Sequence, residues 1–385
     1  MKKILFYSTV ASQIDLFNRN NIMILKKMGY EVHVACNFND GNVTSKQRVE
    51  QFKKELDECN IKYFNIPIPR NIFNFKLISE SYNLTKKIYF QNKYDLIHCH
   101  SPIGSAICRL ALRNVDTKII YTAHGFHFFK GAPIYNWLIF YPIEKYLSKF
   151  TDLIITINKE DYINAVNFKK SKVIKINGVG IDINKFNKNN SREKNSLLKS
   201  DLEIVDNQLV LISTGEINKN KNHKEIIDAL FAIKQKFEIK FKYFICGKGP
   251  LEEKLKEYIN SLDLSKEISL LGYRQDIKEL LSISDLFIFP SKREGLSLSL
   301  MEAMAMGLPC LVSDVRGNRD LIVDNHGGKI FTLNIHDELI QKLYQLMTNE
   351  KDRLNYGDFN KNRIEQYSTK VIDKEMTEIY KNILL

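Results

Sequence analysis

Short apolar runs alternate along the chain with longer segments whose apolar positions recur at helical spacing, the signature of βα units feeding a parallel sheet. In the first half the runs fall at 3–8, 31–36, 61–66, 95–100, 118–122, 152–156 and 173–176, with helical patterns such as 44–59 and 77–90 between them. The periodicity fails at 177–200, where Gly178, Gly180 and a stretch rich in Asn, Lys and Ser intervene. It resumes with runs at 208–213, 241–246, 267–271, 285–290, 309–313 and 328–331, and ends in a helical pattern at 367–385. Two doubly wound α/β domains with a cleft between them is the economical reading. The expected division is a first domain over 1–178, a linker over 179–200 and a second domain over 201–366, with the 367–385 helix packing back on the first.

Length agrees: 385 residues exceed the roughly 100–200 of one domain. With 44% hydrophobic and 26% charged residues, the composition excludes disordered, collagenous and disulfide-stapled chains. Lys plus Arg less Asp plus Glu is 57 − 45 = +12, but the lysines are dispersed, so charge alone does not choose between phosphorylated ligands, anionic lipid and nucleic acid. No apolar run reaches the ~18 residues of a membrane span; 137–147 is broken by Pro142, Glu144 and Lys145. The opening Met1-Lys2-Lys3 and its apolar sequel imitate a leader peptide, yet polar residues return at Ser8, Ser12, Gln13 and Asp15, so a first strand is expected there. Six scattered cysteines without a C-x-x-C pair point to reduced thiols in a cytoplasmic protein.

The strongest constellation follows the 285–290 run: Glu294, Gly295, Leu296, Ser297 and, on the next helix, Glu302. Ligands of open α/β sheets bind beyond the carboxyl ends of strands, where helix N-termini offer free N–H groups to phosphate, so 295–299 reads as a diphosphate cradle. The 298–306 helix is apolar on nearly every face and Glu302 is its only charge, so that carboxylate needs a partner. A ribose diol would serve, and so would a buried Lys or Arg. Two further strand ends carry Gly247-Lys248-Gly249 and the loop from Gly215 to Lys221, the first allowing close backbone approach and the second bringing cations.

His98, His100, His124 and His127 cluster at two strand ends, with His98 and His100 on one face by alternation. No Cys or carboxylate joins them at ligand spacing, so no metal site is expected. His124, just before Gly125, should face the cleft. The 126–150 stretch holds Trp137, many other aromatics, Lys130, Lys145 and Lys149; it reads slightly more as a packed core helix than as an interfacial helix on an anionic leaflet.

Together these loops resemble the retaining glycosyltransferases of family 4, whose GT-B fold has two facing Rossmann-like domains and a central cleft. Glu294 and Glu302 look like that family's two-glutamate signature, Asn177-Gly178-Val179 like its hinge, and Gly247-Lys248-Gly249, Gly272-Tyr273-Arg274 and Asn220-Lys221-Asn222 like its donor loops. The segment 124–132 is similar to members that build bacterial capsule and exopolysaccharide on a lipid carrier. The resemblance implies catalytic roles for His124 near the anomeric centre, Glu294 on the sugar hydroxyls and Lys221 on the donor diphosphate. It puts Glu302 on the ribose and Gly272 to Arg274 at the base. It further implies a UDP-sugar donor, no cofactor and a polyprenyl-diphosphate-linked saccharide acceptor, with no nucleic acid, while Trp137 with its aromatic and lysine neighbours and the +12 charge lead to an expectation of peripheral attachment to an anionic cytoplasmic membrane face. Two departures stand out: Glu216 occupies the position where an Arg usually precedes the phosphate-binding lysine, and 8–13 replaces the usual glycine-rich loop after the first strand. A nucleotide-sugar epimerase and a non-catalytic nucleotide-binding protein are the competing readings.

Overall fold

A computed structural model describes residues 1–186 and 192–385. The chain forms two compact units, one of Met1–Gly180 with Lys370–Leu385 and one of Ile181–Thr369. The first holds strands β1 (Lys3–Val10), β2 (Glu31–Asn37), β3 (Lys62–Asn65), β4 (Leu96–His100), β5 (Lys118–Ala123), β6 (Leu153–Thr156) and β7 (Lys172–Lys175). All pair in parallel, in the order β3-β2-β1-β4-β5-β6-β7. The second holds β8 (Leu209–Thr214), β9 (Phe241–Cys246), β10 (Ile268–Gly272), β11 (Leu286–Phe289), β12 (Cys310–Ser313) and β13 (Gly328–Phe331), parallel in the order β10-β9-β8-β11-β12-β13. Every apolar run read as a strand is one, with ends shifted by a few residues, and both units are doubly wound α/β folds.

Each strand order reverses once, between β1 and β4 and between β8 and β11. The loops leaving these strands diverge to opposite faces and leave a crevice at their carboxyl ends, where ligands of such sheets bind. The strands are continuous apolar runs because helices cover both faces: every residue of β1 from Ile4 to Val10 is buried, as is all of β9 and β11. In the second unit Leu211, Tyr243, Ile245 and Ile288 pack one face, while Phe287, Phe289, Leu300, Met301 and Met304 pack the other.

Three local expectations change. The 8–13 segment is not a loop, because β1 continues to Val10 and a helix starts at Ala11; contact with the neighbouring turn comes instead from the Gly104 N–H, which donates to Thr9 Oγ1 at 3.0 Å. Within the interval read as a linker, Arg192–Asp201 is helical and belongs to the second unit, while 187–191 lie outside the described residues. The helix Ile134–Leu147 is not a core helix: Ile134, Tyr135, Leu138, Ile139, Ile143 and Tyr146 are exposed. Trp137 faces inward instead, donating from Nε1 to the Phe129 carbonyl at 3.2 Å and packing on Phe128. Among the described residues no helix is long and apolar enough to cross a membrane.

The helix Thr369–Leu384 buries Ile372, Met376, Ile379, Tyr380 and Leu384 along one stripe in the first unit. Ile181 and Ser368 form an isolated parallel bridge, so the chain enters and leaves the second unit side by side.

Candidate active site

The crevice between β8 and β11 is built by two loops that are stitched together. After β8, the Asn218 side-chain oxygen accepts from the N–H groups of Asn220 (2.9 Å) and Lys221 (3.0 Å), curling the chain so that Lys221 turns back over the sheet. After β11, the Lys292 N–H donates to the Asn220 carbonyl at 2.7 Å, and the Asn220 side chain donates to the Arg293 carbonyl at 3.0 Å. The result brings Lys221 Nζ to 2.8 Å from Glu294 Oε1 and to 4.2 Å from the centroid of the Phe289 ring. Only 16% and 14% of the two side chains is exposed, so this is no surface pair, and removal of either member strands a largely desolvated charge.

Glu294 is also held from below. The Arg316 Nε donates to its backbone carbonyl at 3.1 Å, and a Cβ on Gly317 would stand 1.7 Å from the Gly295 carbonyl oxygen. Only glycine admits that approach, by which the helix after β12 clamps the 294–295 turn. Ser297 then caps the helix Leu298–Ala305 through the Leu300 N–H, leaving the other first-turn N–H groups directed beyond the strand ends.

On that helix Glu302 is half-buried, and among the described residues its carboxylate has no hydrogen-bond or ion-pair partner. Burial pushes it up to about 7. Among the described residues neither a buried Lys nor an Arg satisfies it, which leaves the carboxylate open to solvent or to a hydrogen-bonding ligand.

The loops after β8, β9 and β10 lie edge to edge. The Gly215 N–H donates to the Cys246 carbonyl (2.9 Å), Ile217 to Lys248 (3.1 Å) and Gly247 to Gly272 (2.7 Å). A Cβ on Gly247 would sit 1.9 Å from the Gly215 oxygen, so glycine is what lets the strand ends close up. This draws Gly215, Gly247, Lys248, Gly249 and Gly272 onto one edge of the crevice. Tyr273 beyond it is exposed, and Arg274 is committed to Asp276, Nε to Oδ1 at 2.7 Å, which holds that carboxyl below its usual range. Glu216 is exposed and accepts from Asn218, so it does not replace the missing arginine at the lysine.

His223, which the sequence reading passed over, opens the helix after the Lys221 loop. It is buried with neither ring nitrogen partnered among the described residues, and burial followed by the Lys221 charge pushes it down to about 4, so it sits neutral beside the lysine. Arg316 was equally missed, although it follows a predicted strand end just as the other site residues do.

In the first unit, His98 is satisfied by the Tyr380 hydroxyl (2.8 Å) and Thr122 Oγ1 (2.7 Å), a structural histidine. His100 Nδ1 lies 3.3 Å from Nε2 of half-buried His124, and burial pushes all three imidazoles down, His124 to about 4. The pair is therefore neutral near pH 7, with one ring donating and the other accepting. Among the described residues no group of three His, Cys, Asp or Glu could hold a metal ion.

Comparison with known proteins places this chain among glycosyltransferases. Residues 195–363 match the glycosyl transferases group 1 family and residues 3–158 the glycosyl transferase 4-like family. A putative glycosyltransferase of Bacillus subtilis, EpsD, is 33% identical over 98% of this chain and 96% of its own. The Escherichia coli UDP-Gal:alpha-D-GlcNAc-diphosphoundecaprenol alpha-1,3-galactosyltransferase is 30% identical over 76% of each chain. The Anabaena protein HepE, solved with UDP and glucose, superposes with a TM-score of 0.75 over 99% of this chain and all of its own, at 19% identity, a likeness that carries the fold alone.

Proposed function

The chain belongs to the group 1, family 4-like glycosyltransferases of GT-B fold, with relatives in bacterial polysaccharide synthesis, and from that premise we propose that it is a retaining, metal-independent enzyme using a UDP-sugar. The acceptor in this reading is a saccharide on a polyprenyl diphosphate, the acceptor class named for the Escherichia coli relative. The observation that carries the donor side is the conjunction of a Lys221–Glu294 pair, a capped helix N-terminus and a partnerless Glu302 carboxylate at one switch point.

In this account Glu302 takes the ribose hydroxyls, and the helix N–H groups with Lys221 take the diphosphate. Glu294, released from the lysine by the incoming phosphate, turns to the sugar hydroxyls. As the C1–oxygen bond to the β-phosphate breaks, charge grows on the leaving diphosphate, and fixed donors there stabilise it without a metal. The acceptor hydroxyl attacks the same face and its proton passes to the leaving phosphate oxygen. His124, neutral and 3.3 Å from His100, keeps in this reading the role near the anomeric centre that the family resemblance implies. Neither an epimerase nor a binding protein is favoured: the two-glutamate pattern speaks against the first, and the presence of Lys221, Glu294 and Glu302 together speaks against the second.

Nucleotide preference is read by thermal shift. UDP at ~100 times its dissociation constant should add about 2.7 kcal/mol of stability, and ADP or GDP at equal concentration far less. Equal shifts with all three would remove the uridine assignment.

The exposed apolar face of helix Ile134–Leu147, edged by Lys130, Lys145 and Lys149, supports attachment to an anionic leaflet. Flotation with anionic liposomes should weaken as salt rises, since exposed charges are screened within ~8 Å at physiological ionic strength. Flotation equal on neutral and anionic vesicles would remove the electrostatic part.

A further inference from the structure

The crevice of the first unit, where β1 and β4 diverge, holds two adjoining cavities that the donor chemistry does not use. The outer one, about 560 Å³, is edged by Thr9, Gln13, Asn71, Ser101 and Arg70. Arg70 is the one charged residue of that lining, it is exposed, and among the described residues it has no ion-pair partner. The inner one, about 190 Å³, is an apolar slot. Helix Pro102–Ala111 lines it with Ile103, Ala106, Ile107 and Leu110, positions that share one helical face, and helix Ile134–Leu147 closes it with Phe140 and Ile143. Ile72, Pro102, Ile103, His127 and Phe140 border both cavities, so the two adjoin across a shared wall of side chains.

Each part selects a chemistry. The mouth offers a free guanidinium and several neutral donors but no carboxylate, which suits a diphosphate. The slot admits hydrocarbon: its single charge, Glu144, is neutralised by buried Arg109 at 2.9 Å. An enclosed apolar cavity of ~150 Å³ accommodates benzene, so this slot takes one or two five-carbon units rather than a long chain. It also opens toward the outside, because Ile143, which lines it, is 45% exposed and lies one turn after exposed Ile139 on the same helix face. An apolar tail too long for the slot would leave along that face into a bilayer.

We infer that this space binds the diphosphate and first isoprene units of a polyprenyl diphosphate, with Arg70 at the phosphates and the 103–110 helix face against the hydrocarbon. The inference rests on the proposed lipid-linked acceptor and adds where and by which part of the lipid that acceptor is held. It makes the lipid itself, and not only its sugar, a specificity determinant.

The test needs neither donor nor saccharide. The purified full chain is titrated, below micelle-forming concentrations, with geranylgeranyl diphosphate, inorganic diphosphate and geranylgeraniol. The first should bind at least tenfold tighter than either fragment. Ala106→Phe, which fills the slot from a half-buried position, should remove that advantage. Arg70→Ala should weaken the diphosphate ligands and leave geranylgeraniol unaffected. Thermal denaturation and near-ultraviolet circular dichroism of both variants report whether the first unit, which carries both substitutions, is folded. Geranylgeranyl diphosphate binding no tighter than its fragments, or insensitive to both substitutions in folded protein, overturns the inference. If sugar is nevertheless transferred to lipid-linked acceptors, the function stands and the slot alone falls. If the slot binds as described and no such transfer occurs, the acceptor reading falls alone.

Discussion

Lys221→Ala should lower kcat by about two to three orders of magnitude, the effect of removing one preorganised stabiliser of a leaving anion. The side chain is 16% exposed and 2.8 Å from Glu294, so two losses coincide: the cation for the phosphate and the partner of a desolvated carboxylate. The second loss concerns stability and can be separated. Leaving one member of a buried pair uncompensated costs about 3–5 kcal/mol, an upper figure here because both groups retain some solvent contact. Lys221→Ala with Glu294→Gln removes the stranded charge, so the double variant should recover most of the melting temperature and none of the turnover. Thermal denaturation beside single-turnover kinetics makes the comparison. Recovery of turnover in the double variant would show that Lys221 serves only to neutralise Glu294.

The two glutamates should part company when UDP itself is titrated. Glu302 is assigned to the ribose, present in UDP, and Glu294 to the sugar, absent from it. Glu302→Ala should weaken UDP by at least tenfold, since a hydrogen bond to a charged group contributes about 1.5–3 kcal/mol. Glu294→Gln should leave UDP affinity close to wild type and lower kcat/KM for the whole donor, because contacts to the moving glycosyl group strengthen in the transition state. The titration of Glu302 supplies an internal check. Its carboxyl is raised to about 7 by burial in the free protein, and the ribose hydroxyls bind the ionised form. UDP should therefore bind with release of a proton below pH 7, and affinity should fall by up to about tenfold for each pH unit below that value, levelling off above it. Glu302→Gln should remove the carboxyl's share of this dependence and leave that of the terminal phosphate of UDP, whose second ionisation falls at about pH 6. Calorimetry in buffers of different ionisation enthalpy measures the proton directly, and equal proton release at pH 6 by wild type and Glu302→Gln would contradict the assignment.

The fold was legible because parallel strands covered on both faces are continuous apolar runs, so 152–156 or 285–290 could be read without any knowledge of their partners. The loops at strand ends were legible for the same reason, since a strand end followed by glycine or a capping serine marks where a ligand is met. What escaped were contacts that depend on strand order rather than on sequence neighbourhood. Arg316 reaches Glu294 only because β12 lies beside β11, and the Lys221–Glu294 pair exists only because β8 lies beside β11, 73 positions apart along the chain. The 134–147 helix misled because its dense run of aromatic and aliphatic residues matches a core helix in composition, whereas Ile134, Leu138 and Ile143 are exposed and the side carrying Trp137 and Tyr141 packs on Phe128. The 8–13 segment misled because Ser and Thr suit a turn as readily as a strand end, and only the close passage of Gly104 reveals that β1 continues.

The central claim is that this chain moves a glycosyl group from a UDP-sugar to a saccharide on a polyprenyl diphosphate, without a metal and with retained configuration. Incubation of the purified protein with tritiated UDP-sugars, a synthetic undecaprenyl-diphosphate saccharide and excess EDTA tests it most directly, with the anomeric coupling of the product read by proton NMR. The account predicts label in the lipid fraction at full rate in EDTA, the new linkage carrying the donor's own anomeric configuration. Label confined to an interconverted nucleotide sugar, transfer that requires added magnesium or manganese, or a product of inverted configuration would contradict it.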